Sequence, residues 1–167
     1  GVQGWAADMH QRLFNFDYPP YGAPPARIDL AGARNGVYSG QIAVRSDAPI
    51  TALSASSGDL AGPAGTRIPA SAVQVRYGVG SPASLLVGGY GTYGMKMPMA
   101  LKHNLDTYSR ELAGLPEKEQ LAKLLFYDRL SARPPAEIPA NTCQPVWVTV
   151  RVPKDAAPGK YQGTVTL

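Results

Sequence analysis

Cysteine is nearly absent from this chain. Cys143 stands alone, so no intrachain disulfide can form. Histidine is almost as scarce, and His10 and His103 lie far apart. One thiol and two imidazoles make no recognisable metal set, so neither a metal nor another cofactor is expected. Charge is thin as well, at 17% of residues, and the balance of 16 basic over 12 acidic gives only +4. The basic residues are scattered (Arg12, Arg27, Arg34, Arg45, Arg67, Arg76) and form no stripe with interleaved aromatics. That pattern reads as a solvated surface, and it does not support a nucleic-acid partner. No run approaches about 18 apolar residues, so no membrane span is expected. The opening Gly1-Val2-Gln3-Gly4-Trp5 has neither a basic nor an apolar leader region.

Glycine and proline, by contrast, are plentiful. The 18 Gly and 16 Pro follow no short period, so they mark turns and not collagen. With 44% hydrophobic residues in 167, the chain suits one domain with a sizeable core, rich in turns, as in an all-β fold. No repeat of solenoid period is visible.

Residues 1–26 read as an irregular arm, rich in rings (Trp5, Phe14, Phe16, Tyr18, Tyr21) and prolines (Pro19, Pro20, Pro24, Pro25). Proline disfavours both a helix interior and a central strand, so the arm is expected to lie extended and dock through its rings. Residues 27–80 read as β. Tyr38, Gly40, Ile42 and Val44 share one face, as do Val73, Val75, Tyr77 and Val79. Ile50 to Ala55 is a weaker strand candidate. Ser46-Asp47-Ala48-Pro49 and Gly62-Pro63-Ala64-Gly65 are turn chemistry. Residues 81–137 break the pattern. A glycine-rich loop carries Tyr90 and Tyr93. Leu101, Leu105, Tyr108 and Leu112 then form one stripe of an amphipathic helix, and a second helix opens at Pro116 and runs on through Leu121, Leu124, Leu125 and Tyr127. From Gln144 alternation returns: the valines at 146, 148, 150 and 152 share a face, with Trp147, Thr149 and Arg151 on the other. After the turn at Lys154 to Gly159, Tyr161, Gly163, Val165 and Leu167 are expected to point inward from a last core strand. The fold class is thus mostly β: an immunoglobulin-like antiparallel β-sandwich over 27–167, with a small helical insertion.

Chemistry-bearing sets are hard to assemble. The carboxylates Asp106, Glu111, Glu117, Glu119 and Asp128 fall on or near the helical block, and Glu117 and Glu119, two apart, do not share a helical face. Ser54, Ser56 and Ser57 lack a nucleophile elbow, and the glycines around Tyr90 lack a phosphate-loop ending. No catalytic residue is assigned. Carbohydrate binding is a different matter, because it needs only rings in loops with polar groups at the rim. Trp5, Tyr18, Tyr21, Tyr90 and Tyr93 meet that description. The competing reading is that these rings pin the arm and loop to the sandwich. Arg34, Asn35, Trp147 and Tyr161 read as structural, with Asn35 suited to a left-handed turn position.

Several of these segments also carry a resemblance. Gln144-Pro145-Val146-Trp147-Val148-Thr149-Val150, followed by Val152-Pro153-Lys154-Asp155-Ala156-Ala157-Pro158-Gly159-Lys160-Tyr161-Gln162-Gly163-Thr164-Val165, resembles the closing half of the N-terminal β-sandwich domain of glycoside hydrolase family 123 and related secreted bacterial proteins. Leu30-Ala31-Gly32-Ala33-Arg34-Asn35-Gly36 resembles the opening of the same domain, with Gly36 where an acidic residue is common. Tyr127-Asp128-Arg129-Leu130 and Ile138-Pro139-Ala140 resemble the lead into the Trp strand. The resemblance covers 28–80 and 127–167. It implies a catalytic barrel following the sandwich, with an Asp-Glu pair acting on N-acetylgalactosaminides, and this chain holds no counterpart of that pair. The resulting expectation is a non-catalytic accessory domain of a larger secreted or periplasmic carbohydrate-active protein, partnered by a catalytic domain of the same polypeptide. The alternative is a stand-alone carbohydrate-binding module whose partner is a polysaccharide or other glycan. A protein-binding immunoglobulin-like domain is a third reading.

Overall fold

The computed structural model describes residues 1–23, 26–82, 116, 119 and 122–167. Among these, nine strands are found: β1 (Val2–Ala7), β2 (Val37–Ser46), β3 (Ser56–Ser57), β4 (Leu60–Ala61), β5 (Arg67–Ile68), β6 (Val73–Pro82), β7 (Leu125–Ser131), β8 (Gln144–Arg151) and β9 (Val165–Thr166). Five of them build one antiparallel sheet in the order β1-β2-β8-β6-β7. The central trio β2, β8 and β6 contains the segments whose alternation is strongest. β-branched side chains pack well on a pleated surface, and a sheet of this width needs an apolar face.

Register explains both faces. Ile42 pairs with Val146 and Val146 with Tyr77, so these three stand in one row. They form a buried cluster with Val44, Leu53 and Ile138, flanked by Ile28, Ile50, Ala55 and Val75. The remaining strands are short pieces. β3 pairs with β9, β4 pairs with β5, and a single bridge joins Ala61 to Gln162.

Four expectations need correction. The first concerns the arm: Val2–Ala7 is an edge strand along β2, with Trp5 opposite Ala43. Its composition hid this, because Gly4 and the small Ala6 and Ala7 weaken the alternation. The second concerns the helical excursion. Its amphipathic stripe from Leu101 to Leu112 lies outside the described residues, and Glu119, Ala122 and Lys123 are helical, but Leu125–Ser131 is strand β7. Leu124, Leu125 and Tyr127 fit either period over so short a run; Phe126, buried at the sheet edge, favours the strand. The third concerns the C-terminus. Tyr161 to Leu167 is not a core strand: Gln162 makes a single bridge to Ala61, Val165–Thr166 pairs with the two-residue β3, and Leu167 is exposed. Likewise Ile50 to Ala55 is no strand; Ile50 makes one bridge, to Ile138, with mutual backbone hydrogen bonds of 2.9 Å.

Candidate functional site

The second face of the sheet divides in two. Its β1 side is roofed by residues 8–23. There Trp5, Leu13, Ala43 and Cys143 form a buried cluster, with Ala7, Ala23 and Tyr127 against it. Polar groups hold the roof in place. The buried Gln41 side chain donates to the Asp8 and Gln11 carbonyls at 2.9 and 3.3 Å. The Tyr127 hydroxyl donates to the Cys143 carbonyl at 2.6 Å. Asn15 clips onto the start of β7: its backbone N–H donates to the Leu125 carbonyl, and its side-chain Oδ1 accepts from the Leu125 N–H. The Arg45 guanidinium lies 3.8 Å from the Tyr18 ring centroid and donates to the Asp17 carbonyl. Burial pushes the Asp17 carboxyl above its usual range, against the opposing pull of the Phe14 N–H and the Arg45 charge. Burial likewise pushes up the Cys143 thiol, which is an inert packing group here.

The other side of this face carries no such roof among the described residues. Trp147 stands between Gln41 and Arg76, with Ser39 bonded to Thr149 (2.8 Å) one row away and the exposed Val37 and Leu130 at the corners. Trp147 is only half-buried, which fits its expected place on the face opposite the valines.

The ring residues proposed from sequence therefore part company. Trp5 is 3% exposed and is a core anchor, so no sugar can stack on its face. Tyr18 is half-exposed over Arg45. Tyr21 stands wholly in solvent, at 108% relative exposure. Tyr90 and Tyr93 lie outside the described residues. Tyr21 rides on a tight turn, in which the Ala23 N–H donates to the Pro20 carbonyl at 2.9 Å and Gly22 takes φ +69°. A glycine at positive φ in the third position is what such a turn demands. Beside it runs a groove of about 680 Å³. Trp5, Ala6, Pro20, Ala23, Ala26, Arg27 and Asp29 line it. Arg27 Nε and Nη2 both donate to Asp29 Oδ1, at 2.9 and 2.7 Å. The groove was not foreseen from sequence, because its parts come from β1, the turn and the segment before β2.

The residues read as structural have structural partners. Asn35 takes φ +60° in an exposed turn beside Arg34. The Tyr38 ring lies across this loop, and its hydroxyl oxygen accepts from the Ala33 N–H at 2.7 Å. A Cβ at Gly32 or Gly36 would fall 2.2–2.3 Å from Tyr38 atoms, so glycine at both positions lets the ring lie against the loop. Tyr161 lies against Gly62 and donates to the Ala157 carbonyl at 2.9 Å. Among the described residues no group of three or more His, Cys, Asp or Glu is placed to hold a metal. His10 pairs with Asp8 at 3.0 Å within an exposed turn, and Asp128 accepts from the Ser81 hydroxyl. Among the described residues no helix is long and apolar enough to cross a membrane.

The fold has solved counterparts. A family 123 glycoside hydrolase from Clostridium perfringens, solved for the details of glycolipid glycan hydrolysis, matches with a TM-score of 0.63 at 13% identity. The match covers 99% of this chain and 24% of that one, so the present chain spans about a quarter of its counterpart's length. The family model described as the glycoside hydrolase 123 N-terminal domain matches residues 96–167. The chain resembles that domain. The family-model match takes in β7, β8 and β9, and the structural match extends the likeness of fold to the first half of the chain, where the Arg34-Asn35 segment lies. No curated protein matches.

Proposed function

We propose that this chain is the non-catalytic accessory sandwich of a larger carbohydrate-active protein of the glycoside hydrolase type, packed beside a catalytic domain of the same polypeptide. One observation carries the reading: nearly the whole chain superposes on a quarter of a glycoside hydrolase. Several of the described carboxylates are tied to local partners. Asp8 faces His10, Asp29 faces Arg27, Asp59 faces Arg67, and Asp17 accepts from the Phe14 N–H. Glycoside hydrolysis needs two carboxylates facing a sugar, roughly 5–10 Å apart. The same reading puts the protein outside the cytoplasm, secreted or periplasmic.

The test is hydrolysis. The 167-residue chain is expected to release no nitrophenol from a panel of aryl glycosides that includes N-acetylgalactosaminides, whereas the product of the full reading frame is expected to do so. Turnover by the short chain, lost when one of its carboxylates is replaced, would overturn the proposal.

A further inference from the structure

We propose that Asn35–Gly36 is a site of spontaneous covalent modification, at which the asparagine deamidates and the product unfastens the start of β2. Two packing needs create the site. Arg34 and Asn35 are the central residues of a turn from Ala33 to Gly36, and Asn35 takes φ +60°. Glycine, asparagine and aspartate are the residues that visit that region routinely. Gly36 is required for a different reason, because a Cβ there would fall 2.3 Å from the Tyr38 hydroxyl oxygen. The fold thus places glycine directly after asparagine. The chain has asparagine at 15, 35, 104 and 141, and Asn35 alone precedes glycine.

That dipeptide has its own chemistry. The Gly36 backbone nitrogen loses its proton to hydroxide and attacks the side-chain carbonyl carbon Cγ of Asn35. A new N–C bond forms, the Cγ–Nδ2 bond breaks, and ammonia departs from a cyclic succinimide. Water then opens the ring. Cleavage between Cγ and the nitrogen gives aspartate. Cleavage at the former backbone carbonyl gives isoaspartate, whose main chain runs through the side chain and is longer by one methylene. A side chain on the following residue would crowd the attacking nitrogen, and glycine has none. Asn35 is exposed, and among the described residues its amide makes no hydrogen bond.

The other asparagines serve as controls. Asn141 also takes φ +60°, at the same position of a turn, and it too is exposed. Its successor is the β-branched Thr142, whose N–H donates to the Pro139 carbonyl at 3.2 Å. The Asn15 amide is held at both ends, by the Leu125 N–H at 2.9 Å and the Lys123 carbonyl at 3.2 Å. The product matters because Asn35 lies between two anchors. The Ala33 N–H is bonded to Tyr38, and the Gly36 carbonyl accepts from the Val152 N–H at 2.9 Å, one step beyond the Val37↔Arg151 pair. A methylene inserted between them forces one anchor to give.

The test is incubation of the 167-residue chain at pH 8 and 37 °C for several weeks, then peptide mapping by mass spectrometry with enzymatic methylation to mark isoaspartate. The Asn35 peptide is expected to lose its amide, faster at pH 9 than at pH 7, with isoaspartate among the products. The Asn15 and Asn141 peptides are expected to stay unchanged. Hydrogen exchange at the Val152 N–H is expected to be faster in the isoaspartate fraction. Asn35→Gly removes the modification and keeps the turn, since glycine accepts the positive φ. An Asn35 that survives in the folded chain while its free tryptic peptide converts would overturn the proposal. So would earlier conversion at another asparagine, or Val152 exchange unaltered by isoaspartate.

Discussion

Single atoms decide several positions in this chain. Gly40 is buried in β2, and a Cβ there would sit 2.3 Å from Ile28 Cγ2. Ile28 is β-branched and packed on the core, so it has little room to yield. Gly40→Ala is therefore expected to lower stability by about 1–3 kcal/mol, read as a drop in the urea midpoint. Titration of buried groups gives a second residue-scale prediction. Burial raises the Tyr127 and Cys143 pKa values above their usual levels, and Tyr77 moves the same way. The unfolded chain gives up these protons first, at the ordinary values of about 8.5 for a thiol and 10 for a phenol. Stability is thus complete below about pH 8.5 and declines as pH rises beyond it. Urea midpoints taken between pH 8 and 11 should fall, and the fall should be shallower in Tyr127→Phe combined with Cys143→Ala. An unchanged slope in that variant would contradict the account.

At the scale of elements, β1 and the segment after it act as one clamp. Trp5, nearly wholly buried, ties the strand to Cys143 across the face, and Leu13 closes the cluster. Trp5→Ala is expected to cost about 3–5 kcal/mol, the range for emptying a buried indole site. Deleting residues 1–23 should uncover Cys143, which is unreactive in the intact fold. Native-state labelling with a thiol reagent at pH 8 is expected to be absent in the full chain and rapid in the deletion; equal rates would remove the clamp from the account. This is also where sequence reading thinned out. β2, β6 and β8 were legible, because their alternation is carried by β-branched and aromatic residues. The face assigned to Trp147 followed from the same period. β1 was not legible, because glycine and alanine at alternate positions carry too little apolar contrast. β7 was misread because Leu124, Leu125 and Tyr127 also satisfy helical spacing, and pairing with β6 settles a choice that local pattern leaves even. The groove was beyond reach, since no linear motif joins Ala6 to Arg27.

For the whole molecule, the decisive fact is that β8 lies between β2 and β6 and joins the two halves of the sheet. Through the register Tyr38↔Val150↔Val73, Gly40↔Val148↔Val75 and Ile42↔Val146↔Tyr77, one strand completes the apolar face for both neighbours. A chain ending at Cys143 keeps β1 with β2 and β6 with β7, but neither pair alone buries its valines. Two-stranded units are marginal in water at best. Such a truncation is expected to lose the cooperative thermal transition seen by circular dichroism, whereas removal of β9, which pairs over only two residues, should lower the midpoint by a few degrees at most. A truncated chain that still melted cooperatively would refute the central role of β8. The order of strands also bears on synthesis. The ribosome delivers β2 about a hundred residues before β8, so at roughly 5–20 residues per second the valine-bearing edge of β2 waits about 5–20 s for its partner. During that interval two unfinished ribbons with apolar faces coexist on the nascent chain, and a holdase that covers such faces is expected to raise the yield of folded protein.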